Sequence, residues 1–547
     1  MEGGAEEGRR CAAPAWPLWL LLSLAWCASL QVRPMLDPDE GRYAEIPREM
    51  LASGDWVTPR FNDLKYFEKP PLQYWATAAL YAVFGLHEWS SRLWSVGLAF
   101  GCLPLVFAWT GRLFGRDSAL GALTALGVSP YFLVVGHLNL LDGAFTFWLT
   151  AAVLAFTLAQ TAPPRSSAER NWMLGAWALA ALAVLSKGIV VLVLAGGTLV
   201  IHTLLERDLV TWRRLHAAPG VALFLLVSAP WFVAVSLRNP SFPGFFFVHE
   251  HFARFLTTVH QRVEPWWFFL PLLLAAVVPW MVPLARGARD AWAEGAGGAL
   301  KFRPRRVLLI YAALTLVFFS ASGSKLAPYI LPMVPVLAAL TGAAARDPER
   351  LARHAARFGA GFVVFVAAGL LVYSARRSSY VPREALTWAF AASAASLAAL
   401  AAAPLLRTRG LSARVVVTVA AASLGWQCLL CEYTVIPPSR SARDLVAAVR
   451  PFIGPHTALY SVGQYRETIS PYLGRTLQLA AYEGELRFGL TEEPARAMSA
   501  AQFAERWSAG GPAVAFFDPG VWDTWRRRGL PGRVIAADNY TVAVSRL

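Results

Sequence analysis

Residues 71–86, PLQYWATAALYAVFGL, decide how the rest of this 547-residue chain is threaded. They are apolar enough to suggest a membrane crossing, and counting them as one would invert the side on which every later loop emerges. A hydrocarbon core takes about 20 apolar residues of helix to cross. Runs near 14–31, 92–110, 118–136, 138–160, 172–186, 188–205 and 218–237 reach or approach that length, followed by 265–285, 306–321, 328–345, 357–374, 385–406 and 413–431. That makes about thirteen spans. The first run follows Arg9 and Arg10 and has no small-residue cleavage site behind it, so it reads as a signal anchor with its N-terminus inside.

Arginine placement arbitrates. With 71–86 left out of the count, the inside loops carry Arg112 and Arg116, then Arg165 and Arg170, then Arg207, Arg213 and Arg214. Further along they carry Arg286, Arg289, Lys301, Arg303, Arg305 and Arg306, then Arg346, Arg350, Arg353 and Arg357, then Arg407, Arg409 and Arg414. This is the cytoplasmic excess of basic residues that membrane insertion favours. Arg376, Arg377 and Arg383 fall outside and count modestly against the scheme. The stretch 71–86 is therefore read as lying in or dipping into the outer leaflet.

Composition agrees. The chain is 56% hydrophobic and 16% charged, with a mean hydropathy of +0.44, which is too apolar for an ordinary soluble enzyme. Its net charge of +15 sits in short clusters between apolar runs, which argues against nucleic-acid binding. Of the five cysteines only Cys428 and Cys431 are close together, both in an apolar run, so core or lipid packing is expected rather than a disulfide framework or metal site. Only five of the 50 basic residues are lysines, Lys65, Lys69, Lys187, Lys301 and Lys325, a bias typical of a GC-rich bacterial genome.

From Pro437 the chain becomes polar. A helical pattern in SARDLVAAVRPFIG (441–454), apolar strands in TALYSV, PAVAFFD, VIAA and TVAVSRL, and a helix around Ala495 to Trp507 predict a small α/β domain. An odd number of spans places it outside. The expected organisation is an all-α polytopic membrane domain over 1–436, carrying an outer loop at 33–91, and an outer α/β domain over 437–547. No glycine-rich phosphate loop lies between a strand and a helix. Asn539-Tyr540-Thr541 fits the N-glycosylation pattern, but so short a pattern carries little weight.

The span interiors hold almost no ionisable groups, whereas ion-coupled transporters keep them near the midplane. Acids and lysines collect instead at the outer ends: Asp37, Asp39, Glu40, Glu68, Asp142, Lys65, Lys69, Lys187 and Lys325. The densest stretch is LDPDEGRYAEIPREM at 36–50, followed by YFEKPPL at 66–72. Asp37 can cap a helix that starts at Pro38, with Asp39 and Glu40 complementing its dipole. The same helix start would fix a carboxylate rigidly at the bilayer edge, ready to accept a proton or balance positive charge. Lys69, in an extended proline-held segment, can bind an anion or snorkel to headgroups. In FFFVHEHFARF (245–255), Arg254 suits phosphate through its two-pronged donor geometry, while His249-x-His251 is a weak metal pattern. In SGSKLAPYILPMVP (322–335), Lys325 and Tyr329 sit where prolines loosen a helix start.

Together these stretches resemble the GT-C superfamily of membrane glycosyltransferases, and most closely the bacterial aminoarabinose transferases that decorate lipid A, relatives of protein O-mannosyltransferases. The likeness rests on DPDEGRYAEIPREM (37–50), WVTPRFNDLKYFEKPPLQYW (56–75), NLLDGAF (139–145), LSKG (185–188), HEHFARF (249–255) and SGSKLAPYILP (322–332), and covers the chain to about residue 340. The resemblance implies inverting transfer of a sugar, 4-amino-4-deoxy-L-arabinose in that family, from undecaprenyl phosphate to a lipid A phosphate. The expected setting is the periplasmic face of a bacterial inner membrane, with no nucleotide and with the protein a monomer. By motif, Asp39 is the lead catalytic carboxylate, with Glu40 beside it and Asp142 the second acid. Lys69, Arg254 and Tyr329 would hold the carrier phosphate, supported by Tyr66 and Lys325, and Glu68 with His249 could bind a divalent metal ion. Two other readings compete: a protein O-glycosyltransferase of the same superfamily, and a lipid or sugar transporter, against which the missing repeats and midplane charges count.

Overall fold

In the computed structural model, residues 16–256, 263–294, 302–378, 380–402, 410–438, 440–482 and 484–546 are described. Each of the thirteen apolar runs contains helix. Among the described residues nine helices are long and apolar enough to cross a membrane, from Glu88–Phe114 to Leu411–Val435. A tenth is obtained if Arg116–Gly127 and Pro130–Gly136, bent by 64°, are one broken span. The remaining expected runs hold helices that fall outside this length-and-hydropathy test. Trp16–Cys27 and Val190–Glu206 are apolar but short, and Ser167–Lys187, of adequate length, is not among the helices that qualify. The stretch that decided the threading forms a helix at Leu72–Phe84, whose 13 residues reach only about 20 Å and cannot cross.

The chain divides into two compact units, the first formed by residues 1–30, 68–73 and 94–433. Small residues let its helices approach closely, as membrane helices require. A Cβ on Gly342 would lie 2.2 Å from the Ser118 carbonyl oxygen, and one on Gly127 would lie 2.4 Å from Val419. Gln427, on Leu411–Val435, donates to the Ala25 carbonyl (2.7 Å) and accepts from the Ser29 amide (3.0 Å), which fastens the last long helix to the first.

The second unit comprises residues 31–67, 74–93 and 434–547. Most of the 33–91 segment, residues 33–67 and 74–91, thus falls in this unit. It contains the helix Asp39–Ser53, closed by Gly54 at φ +70°, and a small hairpin of β1 (Arg60–Phe61) and β2 (Leu64–Lys65). A five-stranded mixed sheet follows: β3 (Ala458–Val462), β4 (Gln478–Ala480), β5 (Ala513–Phe517), β6 (Arg533–Ala537) and β7 (Val542–Ser545), in spatial order β4-β3-β5-β7-β6. The all-buried β5 pairs in parallel with β3 and antiparallel with β7, and its core includes Phe503, Trp507, Phe517 and Trp522.

The helix expected from Ala495 starts at Ala500, because Ser499 and Gln502 form a reciprocal cap there. β4 and the helix Pro519–Arg527, which Asp518 caps, were not anticipated. Three residues are too few to show a strand period.

Candidate functional site

In the first unit, the residues expected to hold a phosphate come together. Arg254 follows a run of wide π-helical turns, Gly244–Ala253, and its amide bonds back to the His249 carbonyl. Such turns are rare and often mark functional positions. Arg254 Nη1 lies 2.7 Å from Glu250 Oε2 and 3.8 Å from Glu68 Oε2, while Nη2 donates to the Tyr329 hydroxyl at 3.0 Å. Lys69 Nζ donates to the Glu68 carbonyl (2.8 Å) and stands 3.4 Å from Glu250 Oε2. Burial, and then the charge of Arg254, lower the Lys69 pKa to about 8 against the pull of Glu250 and Glu68. Arg254 is held charged: burial opposes it, but Tyr329, Glu250 and Glu68 outweigh burial.

Lys187 completes the group. It ends the helix Ser167–Lys187, where a cation complements the dipole, and Asp142 opens the helix Leu141–Thr161, where an acid does. The two side chains are ion-paired, with Lys187 Nζ 4.7 Å from the centre of the Tyr329 ring and 5.2 Å from that of Phe145. The glycine in LSKG explains itself here. Gly188 adopts φ +96°, and a Cβ would lie 2.4 Å from His251 Nε2, the atom that accepts from the Ile189 amide. His251 Nδ1 then carries the proton and donates to the Phe246 carbonyl at 2.7 Å.

Asp142, read as a second catalytic acid, is thus the counter-ion that fixes Lys187 against Tyr329. Lys325 is buried, but it donates to the Ser322 carbonyl in its own loop (2.7 Å) and makes no contact with the Lys69 group among the described residues. Glu68 and His249 do not fit a divalent ion. The Glu68 carboxylate faces the Arg254 guanidinium, His249 stacks on Phe245, and no group of three or more potential metal ligands exists among the described residues.

In the second unit, Glu40 and Asp39 part company. Glu40 is buried and accepts from both Nη atoms of Arg33 (2.8 and 3.0 Å), from Nε and Nη2 of Arg92 (2.9 and 3.0 Å) and from the Leu36 amide (3.0 Å). Burial alone would raise its pKa, but the two arginines drive it far below the usual range. These donors hold Glu40 as a structural anchor of the segment that carries Asp39. Asp39 has a side chain 41% exposed and is held by Arg42 at 2.6 Å. Arg42 also meets Glu485 (2.5 Å), which accepts from the Tyr66 hydroxyl (2.7 Å). Tyr66 therefore belongs to this chain of contacts.

Asp37 does not cap the helix, whose first residue is Asp39. Its carboxylate accepts from Arg466 Nε and the Thr468 amide, both at 2.8 Å. Gly41 is required by the same neighbours, since a Cβ would lie 2.5 Å from the Glu467 backbone. Glu250, Lys187, Arg42 and Glu485 were not assigned from sequence. Glu250 and Lys187 stand inside the quoted motifs, whereas nothing around Glu485 marks it.

A crystal structure of ArnT from Cupriavidus metallidurans in the apo state matches with a TM-score of 0.85 and 34% identity over 97% of each chain, as does the same protein bound to undecaprenyl phosphate. The chain belongs to the aminoarabinose transferase family. Its fold is the GT-C one, in a multi-pass membrane protein. Residues 445–546 match the aminoarabinose transferase C-terminal domain, and residues 20–246 match the dolichyl-phosphate-mannose-protein mannosyltransferase family. The undecaprenyl phosphate-alpha-4-amino-4-deoxy-L-arabinose arabinosyl transferases of Pseudomonas aeruginosa and Aeromonas salmonicida are 35% and 34% identical over 64% and 61% of this chain. These alignments span 62% and 60% of the length of those relatives.

Proposed function

We propose that this chain is an inverting glycosyltransferase that moves 4-amino-4-deoxy-L-arabinose from undecaprenyl phosphate to a lipid A phosphate, at the periplasmic face of the inner membrane. The observation that carries this reading is the convergence of Lys69, Arg254 and Tyr329, three hydrogen-bond donors suited to phosphate and distant in sequence, around one place in the first unit. Likeness to a structure bound to undecaprenyl phosphate supports the same carrier.

In this reading an oxygen of the acceptor phosphate attacks the sugar's anomeric carbon. The bond from that carbon to the carrier phosphate oxygen breaks, and the carrier leaves with its electron pair. Negative charge grows on the departing phosphate, where a lysine, an arginine and a phenol donate to it, so the transition state gains more than the ground state. A phosphate acceptor is already ionised and needs no base. Asp39 is then suited to orient the amino group of the sugar or to balance positive charge at the anomeric carbon.

A second reading, transfer to Ser or Thr of a protein, is favoured by the match of residues 20–246 to protein mannosyltransferases. Mass spectrometry of lipid A and of periplasmic proteins, from cells with and without the gene, separates the two. An aminoarabinose-sized addition to lipid A is expected. Unchanged lipid A with gene-dependent glycopeptides would replace the first reading by the second.

A further inference from the structure

The two edges of the five-stranded sheet are finished differently. At one edge, β4 is closed by other parts of its own unit. The Leu477 amide donates to Asn62 Oδ1 and Asn62 Nδ2 donates back to the Leu477 carbonyl, both at 2.8 Å, and the Ala481 amide donates to the Met498 carbonyl, also at 2.8 Å. These bonds satisfy groups that an edge strand otherwise turns outward.

At the other edge, β6 pairs with β7 alone, and among the described residues no hydrogen bond covers the outer side of its backbone. Its sequence, RVIAA, has no proline and no lysine to guard that edge, no residue of it is fully buried, and Val534 is 45% exposed. A bulge between Val534 and Ala536 sharpens the local twist without covering the edge.

The approach to this edge is basic. The helix Pro519–Arg527 ends in Arg526 and Arg527 with Arg528 as its cap. The Leu530 amide then bonds back to the Trp525 carbonyl (3.1 Å), Gly529 at φ +81° turns the chain, and Arg533 opens β6. All four arginines are exposed, and none has a carboxylate within ion-pair distance among the described residues; Arg527 donates to the Asp523 carbonyl one turn earlier (3.1 Å). Of the acids in these segments, Asp518 caps the helix, and Asp538, just beyond β6, is taken by Arg466. A helix end accounts for Arg526 and Arg527, whose charge complements the dipole, but not for Arg528 and Arg533.

An open apolar strand edge offers backbone hydrogen bonds to an extended chain, and clustered guanidiniums favour carboxylates on that chain. We propose that β6 receives an extended acidic segment of a partner protein as a sixth strand, its carboxylates meeting Arg526, Arg527, Arg528 and Arg533. The inference does not depend on the transfer reading.

The test uses the full-length protein in phosphatidylcholine nanodiscs and fluorescence anisotropy with labelled peptides of about six residues, the length of an ordinary strand. One peptide alternates Glu and Val, a second is the same with every second amide N-methylated, and a third alternates Lys and Val. The Glu-Val peptide is expected to bind at least about tenfold more tightly than either of the others and to slow amide hydrogen exchange over residues 533–537. The variant Arg526→Gln/Arg527→Gln/Arg528→Gln changes exposed side chains, so it should keep the parent's thermal unfolding while losing about tenfold in affinity. Val534→Glu, which places a like charge on the strand and leaves the arginines alone, should weaken binding as well. No binding of the Glu-Val peptide by the parent, equal binding of its N-methylated form, or amide protection away from 533–537 would overturn strand addition. Equal binding of the Lys-Val peptide, or unchanged affinity in the glutamine variant, would overturn the acidic partner.

Discussion

Two buried charge clusters in this molecule are built from the same residue types and are bonded in opposite ways. Around Glu40 the bonds close inward: two arginines saturate one carboxylate, and Arg92 also donates to the carbonyls of Arg33 (2.7 Å) and Pro34 (2.8 Å). Around Lys69 the bonds are left incomplete. Its ammonium has three protons, one short bond to a carbonyl and a long approach to Glu250, and its pKa is depressed to about 8. Saturation separates the two clusters where charge, burial and motif membership do not, since both have all three.

The contrast breaks first at Glu40. Glu40→Leu strands two buried guanidiniums, which should cost about 3–5 kcal/mol of stability. It should appear as poor yield or a large drop in the unfolding temperature, and a well-folded variant with only its transfer impaired would move Glu40 back into the chemistry. Asp39→Asn keeps shape and most hydrogen bonding but removes the charge. Transfer should fall by about a thousandfold in a protein of normal stability, as for a catalytic carboxylate. Near-normal turnover would leave Asp39 only its Arg42 contact.

Smaller effects sharpen the other side. Lys69→Met and Arg254→Met should each weaken polyprenyl phosphate binding by about ten- to a hundredfold, with the double variant little worse than the worse single, because both serve one anion. Fully additive losses would mean two separate sites. The pH effect is smaller still. Lys69 has a folded pKa lowered to about 8, so its charge is present below that pH and is lost as pH rises through it. Carrier affinity, titrated from pH 6.5 to 9.5, should decline above about 8 by up to about tenfold, and Lys69→Arg should flatten the profile.

Sequence reading reached the membrane helices because length and hydropathy act locally, and it reached Lys69, Arg254 and Tyr329 because each stands in a motif at the end of an apolar run. It could not separate Glu40 from its neighbour Asp39. The difference lies in Arg33 and Arg92, and Arg92 comes from 52 residues away. The partner of Asp142 was missed for the same reason, as Lys187 lies 45 residues on. The loop 33–91 was assigned to the membrane domain because chain continuity was the only guide, whereas its partners Arg466, Thr468 and Glu485 lie more than 400 residues further along.

The close packing of Gly41 on the backbone of Glu467 also sets a schedule. A ribosome adding about 5–20 residues per second needs roughly 20–85 seconds to travel from one to the other. Throughout that interval the helix that carries Asp39 has been made and its partner has not. Newborn chains must therefore thread most of their membrane helices before the Asp39 region can be completed. A stop codon between the end of the last membrane helix, Leu411–Val435, and residue 467 should leave an inserted protein whose 39–53 segment is open to protease.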